Sequence, residues 1–104
     1  MDGGIIFELK FDRSLNTISE KTFHGIVKDI QNFEIIYNRF NNNGLGYLIY
    51  GYFVLFIKSN INDKNMEKIY RIQSELTNRG LNETKCKLLY CFIGVDNNND
   101  NDPL

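Results

Sequence analysis

Side chains able to act as nucleophiles, metal ligands or acid–base groups are few in this chain and widely spaced. The single histidine, His24, falls on the flank of a helix-forming segment beside Phe23, with no second histidine to complete a metal pair. Cys86 and Cys91 are five residues apart in one strand-like segment. Period-two alternation then points them to opposite faces, so they do not bridge each other, and two buried reduced thiols are expected. Gly44, Gly46 and Gly51 do not form a phosphate-cradling loop opening onto a helix. Asp96, Asp100 and Asp102 lack the glycine and the terminal glutamate of a calcium loop. The best candidate for chemistry is Asp12, at the carboxyl end of the first strand-like segment and followed by Arg13. A carboxylate there suits a divalent cation, and an aspartate ending a strand is equally an ordinary turn former. No cofactor and no metal site follow from these residues, and the chain is expected to be non-enzymatic.

The elements that position these groups belong to one domain, residues 1–95 of a 104-residue chain. Area scaling buries about two-thirds of the unfolded chain's surface, enough for a core without a disulfide or a metal. With 12 Lys+Arg against 13 Asp+Glu the net charge is −1, which excludes a global basic footprint for nucleic acid. No apolar run approaches the roughly 20 residues of a membrane span, and no charged segment followed by an apolar one opens the chain. A cytoplasmic location without membrane partners is the expectation. The segment 96–104 is nearly all Asp and Asn and is expected to be disordered.

Ile5, Phe7, Leu9 and Phe11 alternate with Ile6, Glu8, Lys10 and Asp12, a period-two strand whose apolar set should face the core. Thr17 and Glu20 form a capping-box pattern, and Phe23, Ile26, Val27 and Ile30 follow at helical spacing. Phe33, Ile35 and Tyr37 then restart an alternation, predicting a second strand to about Phe40 and a turn at Asn41-Asn42-Asn43-Gly44. A long apolar third strand runs from about Gly46 to Lys58. Asp63 offers an N-cap for a second helix carrying Met66, Ile69, Ile72 and Leu76, which Gly80 ends. Lys85 to Ile93 is the last strand. The order β-α-β-β-α-β predicts an α+β ferredoxin-like sandwich: a four-stranded antiparallel sheet with two helices on one face.

The third strand has no polar side. Tyr47, Ile49, Gly51, Phe53, Leu55 and Ile57 are assigned to the core, which leaves Leu48, Tyr50, Tyr52, Val54, Phe56 and Lys58 on the face without helices, and a bulge at Gly51 would swap the two sets locally. Glu8 and Lys10 of the first strand are expected beside them. Exposed aromatic area of that extent marks a binding surface, and tyrosine is a favoured interface residue.

In topology the chain resembles RNA-recognition-motif domains, with Phe53-Val54-Leu55-Phe56 similar to the end of their third-strand signature and Ile6-Phe7 to the start of the first-strand one. That resemblance implies stacking of RNA or single-stranded bases on the sheet. Asp12 resembles the metal-binding aspartate of small ferredoxin-like nucleases of CRISPR spacer acquisition, paired across a dimer. The expectation adopted is a protein-binding domain, such as an immunity or antitoxin-type inhibitor, that occludes a protein partner. Tyr50, Tyr52 and Phe56 supply the contact area, and Glu8 and Lys10 set the register. The partner is a heterologous target or a second copy in a homodimer, with a nucleic-acid module as the alternative and a metal-dependent nuclease third.

Overall fold

A computed structural model describes residues 3–14, 17–42 and 48–93. The elements are β1 (Gly3–Asp12), α1 (Glu20–Asn42), β2 (Leu48–Ile57), α2 (Asp63–Asn78) and β3 (Cys86–Phe92). The sheet has three strands in the order β1-β2-β3. Both pairings are parallel, Gly3 to Asp12 against Leu48 to Ile57 and Gly51 to Ile57 against Cys86 to Phe92. The expected four-stranded antiparallel ferredoxin-like sheet is therefore wrong, and the chain is a β-α-β-α-β unit.

The difference arises in one segment. Residues 33–40, expected as a strand, continue α1 without interruption. Phe23, Ile26, Ile30, Phe33 and Tyr37 recur at alternating spacings of three and four, one stripe of a 3.6-residue helix. Phe33 is buried within that stripe while Ile35 points to solvent at 56% exposure. With 23 residues of helix between them, β1 and β2 are joined by a crossover, and a crossover imposes parallel pairing. Two crossovers of one hand stepping in the same direction bring both helices to one face.

The core lies between the helices and that face of the sheet. Phe53, Leu55 and Ile57 of β2 pack with Ile26, Ile30 and Phe33 of α1 and with Ile69, Ile72 and Leu76 of α2. These are the β2 positions assigned to the core from sequence. Gly51 continues their row, and a Cβ there would lie 2.6 Å from the Phe33 ring. Gly51 thus admits Phe33 to the sheet, and the ladder runs through it without a bulge.

The helix caps are displaced from expectation, by two residues at α1 and by one at α2. Ser19, not Thr17, starts α1: its Oγ accepts from the Thr22 amide at 3.1 Å and its carbonyl accepts from the Phe23 amide at 3.0 Å. Asn62, not Asp63, caps α2 by accepting from the Asn65 amide at 2.8 Å. Gly80, at φ 70°, closes α2 as expected, with the Leu81 and Gly80 amides donating back to the Leu76 and Thr77 carbonyls. Gly46, Tyr47, the glycine end of the 41–44 turn and the 96–104 tail lie outside the described residues.

Candidate protein-interaction surface

Parallel sheets are ordinarily covered on both faces. Here the register defines a second face that carries no helix. Its β1 row is Ile5, Phe7, Leu9 and Phe11, between 54% and 65% exposed. Its β2 row is Tyr50, Tyr52, Val54 and Phe56, each half-buried by its neighbours. The β3 edge adds Lys87, Leu89 and Cys91. The β1 row is the reverse of expectation, which places these four residues in the core.

The alternation itself was legible, but its sign was not. Glu8 and Lys10 occupy the helix side of β1, opposite Phe53 and Leu55 in register. Since β1 is an edge strand flanked by α1, Lys10 finds a polar partner there. Lys10 Nζ lies 3.3 Å from Asp29 Oδ2 and passes beside Gly25, whose missing side chain leaves it room. Of the residues expected to form the binding surface, the structure brings together Tyr50, Tyr52 and Phe56. It separates Glu8 and Lys10 from them and sets Ile5, Phe7, Leu9 and Phe11 in their place. The Asp29 carboxylate that α1 offers Lys10 at the sheet edge was the missing signal.

The aromatics of this face are ordered against each other. Phe7 stacks on Tyr52 with ring centroids 5.2 Å apart and planes 14° from parallel, and Phe11 stacks on Phe56 at 5.9 Å. Tyr50 and Tyr52 lie 5.1 Å apart, and the Tyr50 hydroxyl donates to the Glu83 carbonyl at 2.6 Å. Partial burial, then the neighbouring Tyr52, pushes the Tyr50 phenol above its ordinary pKa, so it remains a neutral donor. The rings are therefore pre-positioned, which lowers the entropy lost when something packs on them. Lys87 is the one charged strand side chain among the described residues of this face, with the Arg13 guanidinium 5.7 Å from the Phe11 ring at one end.

The groups considered for chemistry do not converge. Asp12 is 1% exposed and accepts at Oδ1 from the Ser14 amide and at Oδ2 from the Ser19 amide, both at 2.9 Å, with Ser19 Oγ at 3.1 Å. Burial pushes its pKa up, but hydrogen bonds from Thr22, Ser19 and Ser14 outweigh that and hold it below the ordinary value. His24 is exposed on α1, 3.7 Å from Glu20. Cys86 is buried on the helix side, where desolvation raises its thiol pKa to about 11. Cys91 is exposed on the open face, so only one of the two thiols is buried. No three His, Cys, Asp or Glu among the described residues are grouped to hold a metal ion. No described helix is long and apolar enough to cross a membrane.

Depressions among the described residues include two beside α2. One of about 530 Å³ between α2 and β3 is lined by Leu76, Leu81, Cys86 and Leu88, with Gln73 and Glu83 at its margin. The other, about 370 Å³, is bounded by Thr17, Lys64, Glu67, Lys68 and Arg71. Lys68 is already engaged there, 3.0 Å from Glu20. Comparison with protein-family models, curated proteins and solved structures gives no match for this chain.

Proposed function

We propose that this chain is a small non-enzymatic protein-binding domain whose working surface is the helix-free face of its parallel sheet. The observation that carries the reading is the exposure of Ile5, Phe7, Leu9 and Phe11 beside the stacked rings of Tyr52 and Phe56. A contiguous apolar face of this kind exceeds what a lone monomer usually presents, and burying each large side chain would contribute roughly 1.5–3 kcal/mol. Binding acts by occlusion, as in an immunity or antitoxin-type inhibitor, because the surface offers area and shape with few charges. The register-setting charges are Lys87 and Arg13 at the margins, in place of Glu8 and Lys10.

Low cation content supports protein over nucleic acid. A phosphate-tracking surface releases counterions from several Lys or Arg, and its affinity falls steeply with salt. The test is retention of native-source proteins on the immobilised chain, compared with a Leu9→Asp variant shown by circular dichroism to be folded. Expected is a partner retained by the wild type, lost by the variant, and insensitive to moderate salt. Salt-sensitive oligonucleotide binding abolished by Tyr52→Ala in fluorescence anisotropy would overturn the reading in favour of a nucleic-acid module. Metal-dependent cleavage lost in Asp12→Ala would overturn it in favour of a nuclease.

A further inference from the structure

We infer that the occupant of the open face in the isolated protein is a second copy of the chain, packed sheet against sheet. The inference rests on the reading of that face as a protein-binding surface, and it commits to which protein.

Area is the first argument. Exposures of 54–65% at Ile5, Phe7, Leu9 and Phe11 leave on the order of 100 Å² uncovered on each. Leu89, at 40%, and the half-buried β2 row bring the face to roughly 700 Å². Two such faces bury about 1,400 Å² in total, within the range of a stable specific interface. A sheet three strands wide also has the spacing to pair with another, since stacked sheets sit about 10 Å apart with side chains interleaved.

Self-complementarity is the second. An isologous contact places the same patch on both sides, so a patch of one dominant charge repels itself. This face avoids that. A two-fold axis lying between the sheets and running along β2 sets Tyr52, Val54 and Phe56 against their own copies along the midline of the contact. Lys87, on the edge strand β3, then falls at the rim, where its ammonium stays in water. An apolar centre with a charged rim is the distribution of homodimer interfaces.

The Asp- and Asn-rich segment 94–104 is a poor cover by comparison. Residues 94–104 contain Val95, Pro103 and Leu104 as their apolar side chains, between seven Asp and Asn residues. A heterologous target that uses the same face would bind by displacing the second copy.

Sedimentation equilibrium over about 1 to 100 µM tests the inference. Expected is a mass of twice 12.2 kDa for the wild type, and a dimer dissociation constant weakened about a hundredfold or more by Leu9→Asp. Ile35→Asp, at an equally exposed site on the outer side of α1, should leave the dimer intact. Where Leu9→Asp fails to fold, Leu89→Glu and thiol labelling of the wild type replace it. Cys91 should label about tenfold more slowly at high than at low concentration. A wild type that stays monomeric at about 100 µM overturns the inference, as does a dimer that survives both variants with Cys91 labelled at the monomer rate. A monomer whose heterologous partner is lost in Leu9→Asp overturns the second copy alone. A monomer whose partner binding survives both variants overturns the reading of the face as well.

Discussion

Both carboxylate oxygens of Asp12 are held by the loop that follows it, so this residue orders the junction between β1 and α1. Its hydrogen bonds from the Ser14 and Ser19 amides and the Ser19 hydroxyl tie the strand end to the helix start. Asp12→Ala would leave the half-buried Ser14 and Ser19 amides without this acceptor and should cost about 1–3 kcal/mol in urea unfolding at neutral pH. The pH dependence has a definite sign. A folded-state pKa below the unfolded one means the unfolded chain binds the proton more readily. The stabilisation is therefore complete above the ordinary aspartate pKa and is lost as pH falls through the folded value. Unfolding free energy measured from pH 6 downward should drop for the wild type in the acid range below about 4, and Asp12→Asn should flatten that drop. Asn65 plays a comparable role between the two helices: its Oδ1 accepts from the Ile18 amide at 2.7 Å and its Nδ2 donates to Ser59 Oγ at 2.8 Å. The turn-forming role of Asp12 was legible from its place at the end of a strand, whereas Asn65 carries no such signal. Both act through loops whose path is set only once the sheet has formed.

At the scale of elements, α1 decides the topology, and its second half can be tested directly. In a strand, Phe33, Ile35 and Tyr37 would share one face, and truncating either Phe33 or Ile35 would be costly. In the helix, Phe33 is buried against Gly51 and Phe53 while Ile35 is open to solvent. Phe33→Ala should therefore cost about 3–5 kcal/mol and Ile35→Ala less than about 0.5, measured by denaturant unfolding. Gly51→Ala probes the same contact from the sheet side. Its Cβ would meet the Phe33 ring at 2.6 Å, so a loss of about 1–3 kcal/mol is expected, with partial recovery in the Gly51→Ala, Phe33→Leu double variant. The sequence carried enough to place β1, β2, α2 and β3 and the core row of β2. What misled was a three-residue alternation, Phe33-Ile35-Tyr37, which also fits a helix in which one member faces outward. Splitting α1 at that point turned one crossover into a hairpin and a parallel sheet into an antiparallel one. The face of β1 was lost the same way. Alternation fixes which residues share a face, but only the neighbouring helix shows which face is the inside.

At the scale of the whole molecule, a βαβαβ unit with both helices on one side is a two-layer structure whose sheet has no second cover among the described residues. The apolar residues described are thus divided between a core closed by α1 and α2 and a face that no described element covers. This division makes a thermodynamic prediction separate from any mutation. Association driven by apolar area carries a negative heat-capacity change, and its affinity responds little to salt. Burial of about 1,400 Å², mostly apolar, corresponds to roughly −0.4 kcal/mol/K. Dilution calorimetry of the wild type between about 10 and 35 °C should therefore show a dissociation enthalpy that rises steeply with temperature. The same experiment at higher salt should give a nearly unchanged dissociation constant, because Lys87 is the single charged strand residue described on that face. An association with a small heat-capacity change and strong salt dependence would place the contact elsewhere, among the charged side chains of the helix layer. The Glu20, Lys68 and Arg71 cluster would then be the first place to look, because it gathers the opposite charges of α1 and α2 at one corner of the molecule.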